Sequence, residues 1–225
     1  MIDFELNNLI LEAYSKVSEN EEKNKIYAQA VSENDIDVIK TLLKEESKNK
    51  GYGETVYRVD DGIEKHGYSF SNTNGVFFAG DLGYYENSAT GYSRNDARKY
   101  AVYDNVNLWK PLEVLRNSYA YSWSDIRLPL DEAEKYEIED ENDEPDVYNG
   151  GEASTSTEGL ARTAKKLGYD GMVVTIPQSY GSGDFTEYAF FDSNNVKLME
   201  VTYDDNGELI PLSRRFDVSS QDMRY

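Results

Sequence analysis

The amino-acid sequence predicts an α+β protein: a helical segment over residues 1–50, a strand-rich domain over 51–205 and a tail over 206–225. Three observations predict it. Apolar residues recur at three- and four-residue steps up to Leu43, as helices buried on one side require. From Glu54 the pattern turns to short runs of β-branched and aromatic residues bounded by Gly and Pro. Helical stretches are then interspersed with these strands, without the regular crossovers of a doubly wound sheet.

Leu6, Ile10, Leu11, Tyr14 and Val17 mark one helical face, and a second helical stretch runs from Lys23 to Val31. Ser32-Glu33-Asn34-Asp35 offers side-chain acceptors to cap a third helix carrying Val38, Ile39, Leu42 and Leu43. Gly51 and Gly53 stop it. Strands are expected over 54–59, 75–80 and 105–109, a helix over 93–101 capped by Ser93, and a helix or turn from Pro111. Residues 131–152 are acidic and poor in core residues, and Asp140-Glu141-Asn142-Asp143-Glu144-Pro145-Asp146 within them reads as a solvated loop without the ligand alternation of a calcium-binding loop. Thr155 and Glu158 stand at capping-box spacing ahead of a helix through Leu160, Ala161, Ala164 and Leu167, which Gly168 ends. Strands follow over 172–176, from Glu187 and over 196–201, and Asp204-Asp205-Asn206-Gly207 reads as a turn.

Composition removes several chemistries. There is no Cys, so no disulfide framework and no thiolate metal site. The single His, His66, rules out a multi-histidine centre and reads as a solvated loop residue. The formal charge of −20, from 43 acidic against 23 basic residues, repels nucleic acid and anionic membranes and favours basic partners. No stretch reaches the ~18 apolar residues of a membrane span, and Met1-Ile2-Asp3-Phe4-Glu5 lacks the basic start of a signal peptide, so a cytoplasmic protein is expected.

Glu187 is the most informative residue. It opens the otherwise apolar and aromatic run Glu187-Tyr188-Ala189-Phe190-Phe191-Asp192, behind the loop Tyr180-Gly181-Ser182-Gly183-Asp184. A carboxylate entering a packed strand costs free energy unless it is paired or put to use. It is either a strand-edge residue in water or a candidate for chemistry.

Three pieces stand in order: Tyr57-Arg58 on the first strand; Phe77-Phe78-Ala79 followed by a helix carrying Ala97 and Tyr100-Ala101; then Gly168-Tyr169-Asp170-Gly171-Met172-Val173-Val174 and Glu187-Tyr188-Ala189-Phe190-Phe191-Asp192. This ordered set, over roughly residues 54–203, resembles the ADP-ribosyltransferase fold, particularly the versions in polyvalent proteins of bacteriophages and mobile elements. The tail, Leu209 to Asp217 and Asp222-Met223-Arg224-Tyr225, is similar to segments that trail such domains. The resemblance implies a split two-sheet core that binds NAD as substrate in the cleft. It implies that Arg58 holds the anionic part of the dinucleotide, that Phe77, Phe78 and Tyr100 shape the nicotinamide pocket, and that Glu187 is the catalytic carboxylate. It further implies transfer of ADP-ribose to a host macromolecule, in the host cytoplasm or from the virion.

The sequence also departs from that family. The Ser-Thr-Ser strand of mono-ADP-ribosylating toxins is replaced by Phe77-Phe78-Ala79-Gly80-Asp81, and Ser154-Thr155-Ser156 reads instead as a helix cap. Arginine-modifying members carry a second acid two residues before the catalytic Glu, where this chain has Phe185, so the acceptor is left open. An inactive transferase fold serving as an interaction or virion protein is the alternative expectation. A nuclease or toxin domain is disfavoured by the acidic charge.

Overall fold

The structure, a computed structural model, describes residues 2–59, 68–70, 75–83, 96–114, 119–122, 125–136, 138, 146–148, 152–155, 157–176 and 184–225. Its elements are, in order, α1 (Ile2–Glu33), α2 (Ile36–Asn49), β1 (Tyr52–Val59), β2 (Val76–Ala79), β3 (Ala97–Tyr103), β4 (Leu108–Trp109), α3 (Pro111–Val114), β5 (Tyr119–Ser122) and β6 (Asp125–Pro129). They continue with α4 (Leu130–Lys135), β7 (Asp146–Tyr148), β8 (Glu152–Thr155), α5 (Thr157–Lys166), β9 (Gly171–Ile176), β10 (Phe185–Phe190) and β11 (Val196–Leu198). The class is α+β, with N-terminal helices and two sheets. Seven strands run in the order β11-β3-β1-β2-β10-β9-β4, and four in the order β5-β6-β8-β7. Pairing is antiparallel except between β4 and β9.

The two expected helices before Val31 are one, α1, and Asp35 caps α2 through a 3.2 Å hydrogen bond from Val38 N. Helices α1 and α2 are not an appendage. Tyr27, Ala30, Ile39 and Leu43 share a core with Tyr52, Ala101, Leu212 and Phe216. The 206–225 tail is likewise built in, with Arg215, Phe216 and Met223 at most 1% exposed.

Three expectations are corrected. The segment expected as a helix over 93–101 is strand from Ala97, because β3 pairs with β1 on one side and β11 on the other. Two ladders outweigh the helix propensity of Ala, Arg and Lys, and bury Tyr100 and Val102 on one face. Ser93 lies outside the described residues. Of the stretch expected as a solvated loop, Asp140–Asp146, only Asp146 is among the described residues, and it begins β7; the wider acidic region also holds α4 and the start of β8. Ser154 and Thr155, expected with Ser156 as a helix cap, end β8, with Thr155 opposite Ile126 and 3% exposed; α5 starts at Thr157, and Ser156 lies outside the described residues. Gly168 does stop α5, at φ 81°. His66 also falls outside the described residues.

The core has two halves, one on each face of the large sheet. One contains Val56, Phe78, Tyr100, Tyr188, Phe190 and Leu198. The other contains Met172, Val174 and Ala189 of that sheet, packed against Leu160, Ala161 and Ala164 of α5 and Ile126 and Leu128 of β6. Helix α5 and the small sheet thus cover the second face. Gly75 permits this closeness: at φ 117° a Cβ there would stand 3.2 Å from Ala189 Cβ and 3.5 Å from Ala161 Cβ.

Candidate active site

Strand β10 lies near the middle of the large sheet, between β2 and β9, with Glu187 opposite Ala79 on one side and Val174 on the other. Side chains directly opposite in a ladder share a face. Glu187 therefore shares its face with Ala189, Phe77, Ala79, Val174 and, through Tyr57↔Ala79, with Tyr57. That is the face covered by α5, so Glu187 points between the sheet and the layer above it. It is 8% exposed. Among the described residues, no hydrogen-bond donor reaches its buried Oε2. Burial pushes its carboxyl up to about 7; the Arg58 guanidinium opposes this and the Glu158 carboxylate adds to it.

Alternation places Arg58 on the opposite face, in register with Arg98. Its guanidinium lies 5.8 Å from the centre of the Phe78 ring, and Nη1 donates to the Phe77 carbonyl at 2.6 Å. Strands β1 and β2 are joined by one registered pair, Tyr57↔Ala79, and the guanidinium meets β2 just past it. Only β2 separates the strands of Arg58 and Glu187, a gap of about 10 Å. From the other face of the sheet, across that strand, its charge still lowers the pKa of the Glu187 carboxyl.

Phe77 is half-buried beside Glu187, at the edge of the core beneath α5. Phe78 and Tyr100 are each 1% exposed and pack edge-on at 5.1 Å in the opposite half of the core. Of the five candidate residues, then, Phe77 and Glu187 share one face of the sheet, and Arg58, Phe78 and Tyr100 share the other. Phe78 supports Arg58 from below, and Tyr100 is a core residue of β3 that offers no ring face to a ligand.

Glu158 was not among the sequence candidates. Ala161 of α5 packs over Ala189. Glu158 is one turn back along the helix, and Glu187 is the next residue on the same strand face. The helix therefore carries an exposed second carboxylate toward the first, close enough to raise its pKa. Sequence reasoning had read Glu158 only as half of a capping box. Its position in the first turn of a helix that follows a Ser-Thr-Ser run was the available signal.

The other face of β10 is also polar. Thr186 and Tyr188 line a cavity of about 490 Å³ with Glu54, Lys110, Glu113 and Thr175. Tyr188 Oη donates to Glu54 at 2.6 Å, and the two threonine hydroxyls are 3.0 Å apart. The sheet separates this cavity from Glu187. Among the described residues no group of three or more His, Asp or Glu side chains is placed to hold a metal, and no helix is long and apolar enough to cross a membrane. Comparison with models of protein families, with curated proteins and with solved structures gave no match.

Proposed function

We propose that the chain is an NAD-dependent ADP-ribosyltransferase of the phage and mobile-element type, with Glu187 as its catalytic carboxylate. The observation that carries this reading is a carboxylate withdrawn under α5, with one oxygen lacking any donor and a guanidinium one strand away. Leaving a buried acceptor unsatisfied costs about 1–3 kcal/mol, which a ligand hydroxyl would relieve. A dinucleotide supplies a ribose hydroxyl for Glu187, and its phosphates would have to pass the end of the β1–β2 pairing to meet Arg58 on the other face.

In this reading the bond between the ribose carbon and the nicotinamide nitrogen breaks, and its electron pair neutralises the pyridinium as nicotinamide leaves. Positive charge develops on the ribose ring, and ionised Glu187 stabilises it at close range in a water-poor site. A nucleophile of the acceptor then bonds to the same carbon and gives up its proton. Phe77 borders the site as an apolar wall. Phe78 and Tyr100 act at a distance, by seating β1 and β3. The acceptor would be a host macromolecule, and Glu158 at the mouth of the site favours a basic one.

Glu187→Gln keeps the shape and removes the charge. Slow NAD hydrolysis, followed as nicotinamide release, should fall by at least about 100-fold, with NAD binding retained. Full activity in the variant would end the assignment. One observation favours a second reading, an NAD-binding fold without transfer: Ala79 stands opposite Glu187 without a hydroxyl, and the carboxyl is half protonated near neutrality. Saturable NAD binding with no nicotinamide release at pH 8.5 would select it.

A further inference from the structure

The segment Ser219–Tyr225 is held to the domain like a bound peptide. Its main chain is taken by groove groups, residue after residue. Lys197 Nζ donates to the carbonyls of Ser220 (2.6 Å) and Asp222 (3.1 Å), and Ser193 Oγ to that of Gln221. Leu198 N donates to Met223 O at 3.0 Å, and Met223 N to Tyr68 O at 2.8 Å. Between these anchors the Met223 side chain is fully buried among Phe78, Tyr100, Val196 and Leu198. Arg224 closes the end: its guanidinium lies 4.6 Å from the centre of the Tyr68 ring, and Nη2 pairs with Asp205 at 2.7 Å. Inside the segment, Asp222 holds the same guanidinium at 2.7 Å and presets its direction.

We infer that the groove lined by Tyr68, Ser193, Lys197, Leu198, Thr202 and Asp205 is a peptide-recognition site that reads Asp-Met-Arg, and that residues 219–225 are its ligand, bound in cis. Main-chain capture supplies affinity and the methionine pocket supplies specificity, as when an extended peptide is added beside a strand. The partner that fits is the same segment on another copy of this chain. The covalent link makes no hydrogen bond to the groove among the described residues, and Asp217 acts on Lys197 only through its charge. Asp217, Val218 and Ser219, which join the segment to the domain, are all exposed, and Asp217 takes its hydrogen bonds from Ser219 and Ser220 within a local turn. The inference does not depend on the proposed transferase activity.

The test inserts a protease recognition sequence between Val218 and Ser219 of the full chain. After cleavage the segment should stay with the domain on gel filtration. A fluorescein-labelled synthetic peptide of residues 219–225 should then exchange into it, while binding negligibly to uncleaved protein, whose tethered segment competes at millimolar effective concentration. The same peptide carrying Met223→Ala should bind at least about thirtyfold more weakly. Unfolding on cleavage that added peptide reverses also supports the inference. It is overturned if the cleaved protein keeps its circular dichroism but takes up no peptide, if both peptides bind alike, or if cleavage unfolds it beyond rescue.

Discussion

Glu187 on β10 and Lys197 on β11 are both withdrawn from water, and burial drives each toward its neutral form, Glu187 up to about 7 and Lys197 down to about 8. Their hydrogen bonding separates them. Lys197 ends on two carbonyls of the 219–225 segment and is wholly buried by it. Among the described residues Glu187 has an oxygen without a donor; it feels a guanidinium on the other face and a second carboxylate above it, and lies between two layers. Satisfied buried ions fasten structure; an unsatisfied one costs stability that only a ligand recovers. Arg215 is intermediate: Nη1 and Nη2 donate to the carbonyls of Glu200 and Leu198, while its buried Nε has no hydrogen-bond partner among the described residues.

The strongest way to break this comparison is to neutralise Glu187. Its folded value of about 7 lies above the ordinary 4.5. Between those two values the folded state holds a proton that the unfolded chain has shed, so stability falls as pH rises through the window. The full loss, about 3 kcal/mol, is present above pH 7. Glu187→Gln should therefore be more stable than the parent by about 2–3 kcal/mol at pH 8.5 and equal to it at pH 4, by urea unfolding. Better stability together with lost nicotinamide release marks a functional residue. An equal difference at both pH values would make Glu187 an ordinary packed side chain.

Lys197 tests the other half, through stability alone. Its folded value of about 8 lies below the ordinary 10.5. Between them the unfolded chain binds the extra proton, so the parent gains about 3 kcal/mol as pH climbs from 8 to 10.5. Lys197→Met should abolish that gain. It should also speed amide exchange across 219–225 about tenfold, because two carbonyls lose their donor. Nicotinamide release should be unchanged. A fall in release with the segment still protected would place Lys197 with the functional charges.

Much of the fold was legible because local signals and tertiary pairing agree. Asp35 caps α2, Gly168 ends α5, and the apolar runs at Val76 and Glu187 are strands. The failures occur where long-range pairing decides. Residues from Ala97 carry helix formers, yet a strand on each side makes them β3. Ser154-Thr155 resembles a helix cap because a cap and the last residues of a strand use the same small polar side chains. At the site, Arg58, Phe77 and Glu187 were readable as residue types in order. That Phe78 and Tyr100 point away from Glu187 follows from strand register, which the sequence does not display. Glu158 became visible only when α5 was seen to lie over β10. The tail reads in the sequence only as a trailing segment, because its anchors, Lys197 and Ser193, are supplied by another part of the chain.

The smallest effect sharpens the comparison most, because it changes one bond and no charge. Ala79 is the register partner of Glu187, with Cβ atoms about 5 Å apart across the ladder. Ala79→Ser places a hydroxyl on that face, within reach of the carboxylate. A donor to a carboxylate stabilises its charged form by about 1–1.5 kcal/mol, or roughly one pH unit. The carboxyl-carbon resonance of Glu187, labelled with ¹³C, should then titrate near 6 instead of near 7. If NAD is turned over, the pH at half-maximal nicotinamide release should move by the same amount, because only ionised Glu187 stabilises the developing cation. The variant should also lose part of the gain that Glu187→Gln brings at pH 8.5, since the supplied donor has removed part of the burial cost. A resonance that stays near 7 would mean the hydroxyl turns elsewhere and that the bare oxygen owes nothing to the alanine opposite.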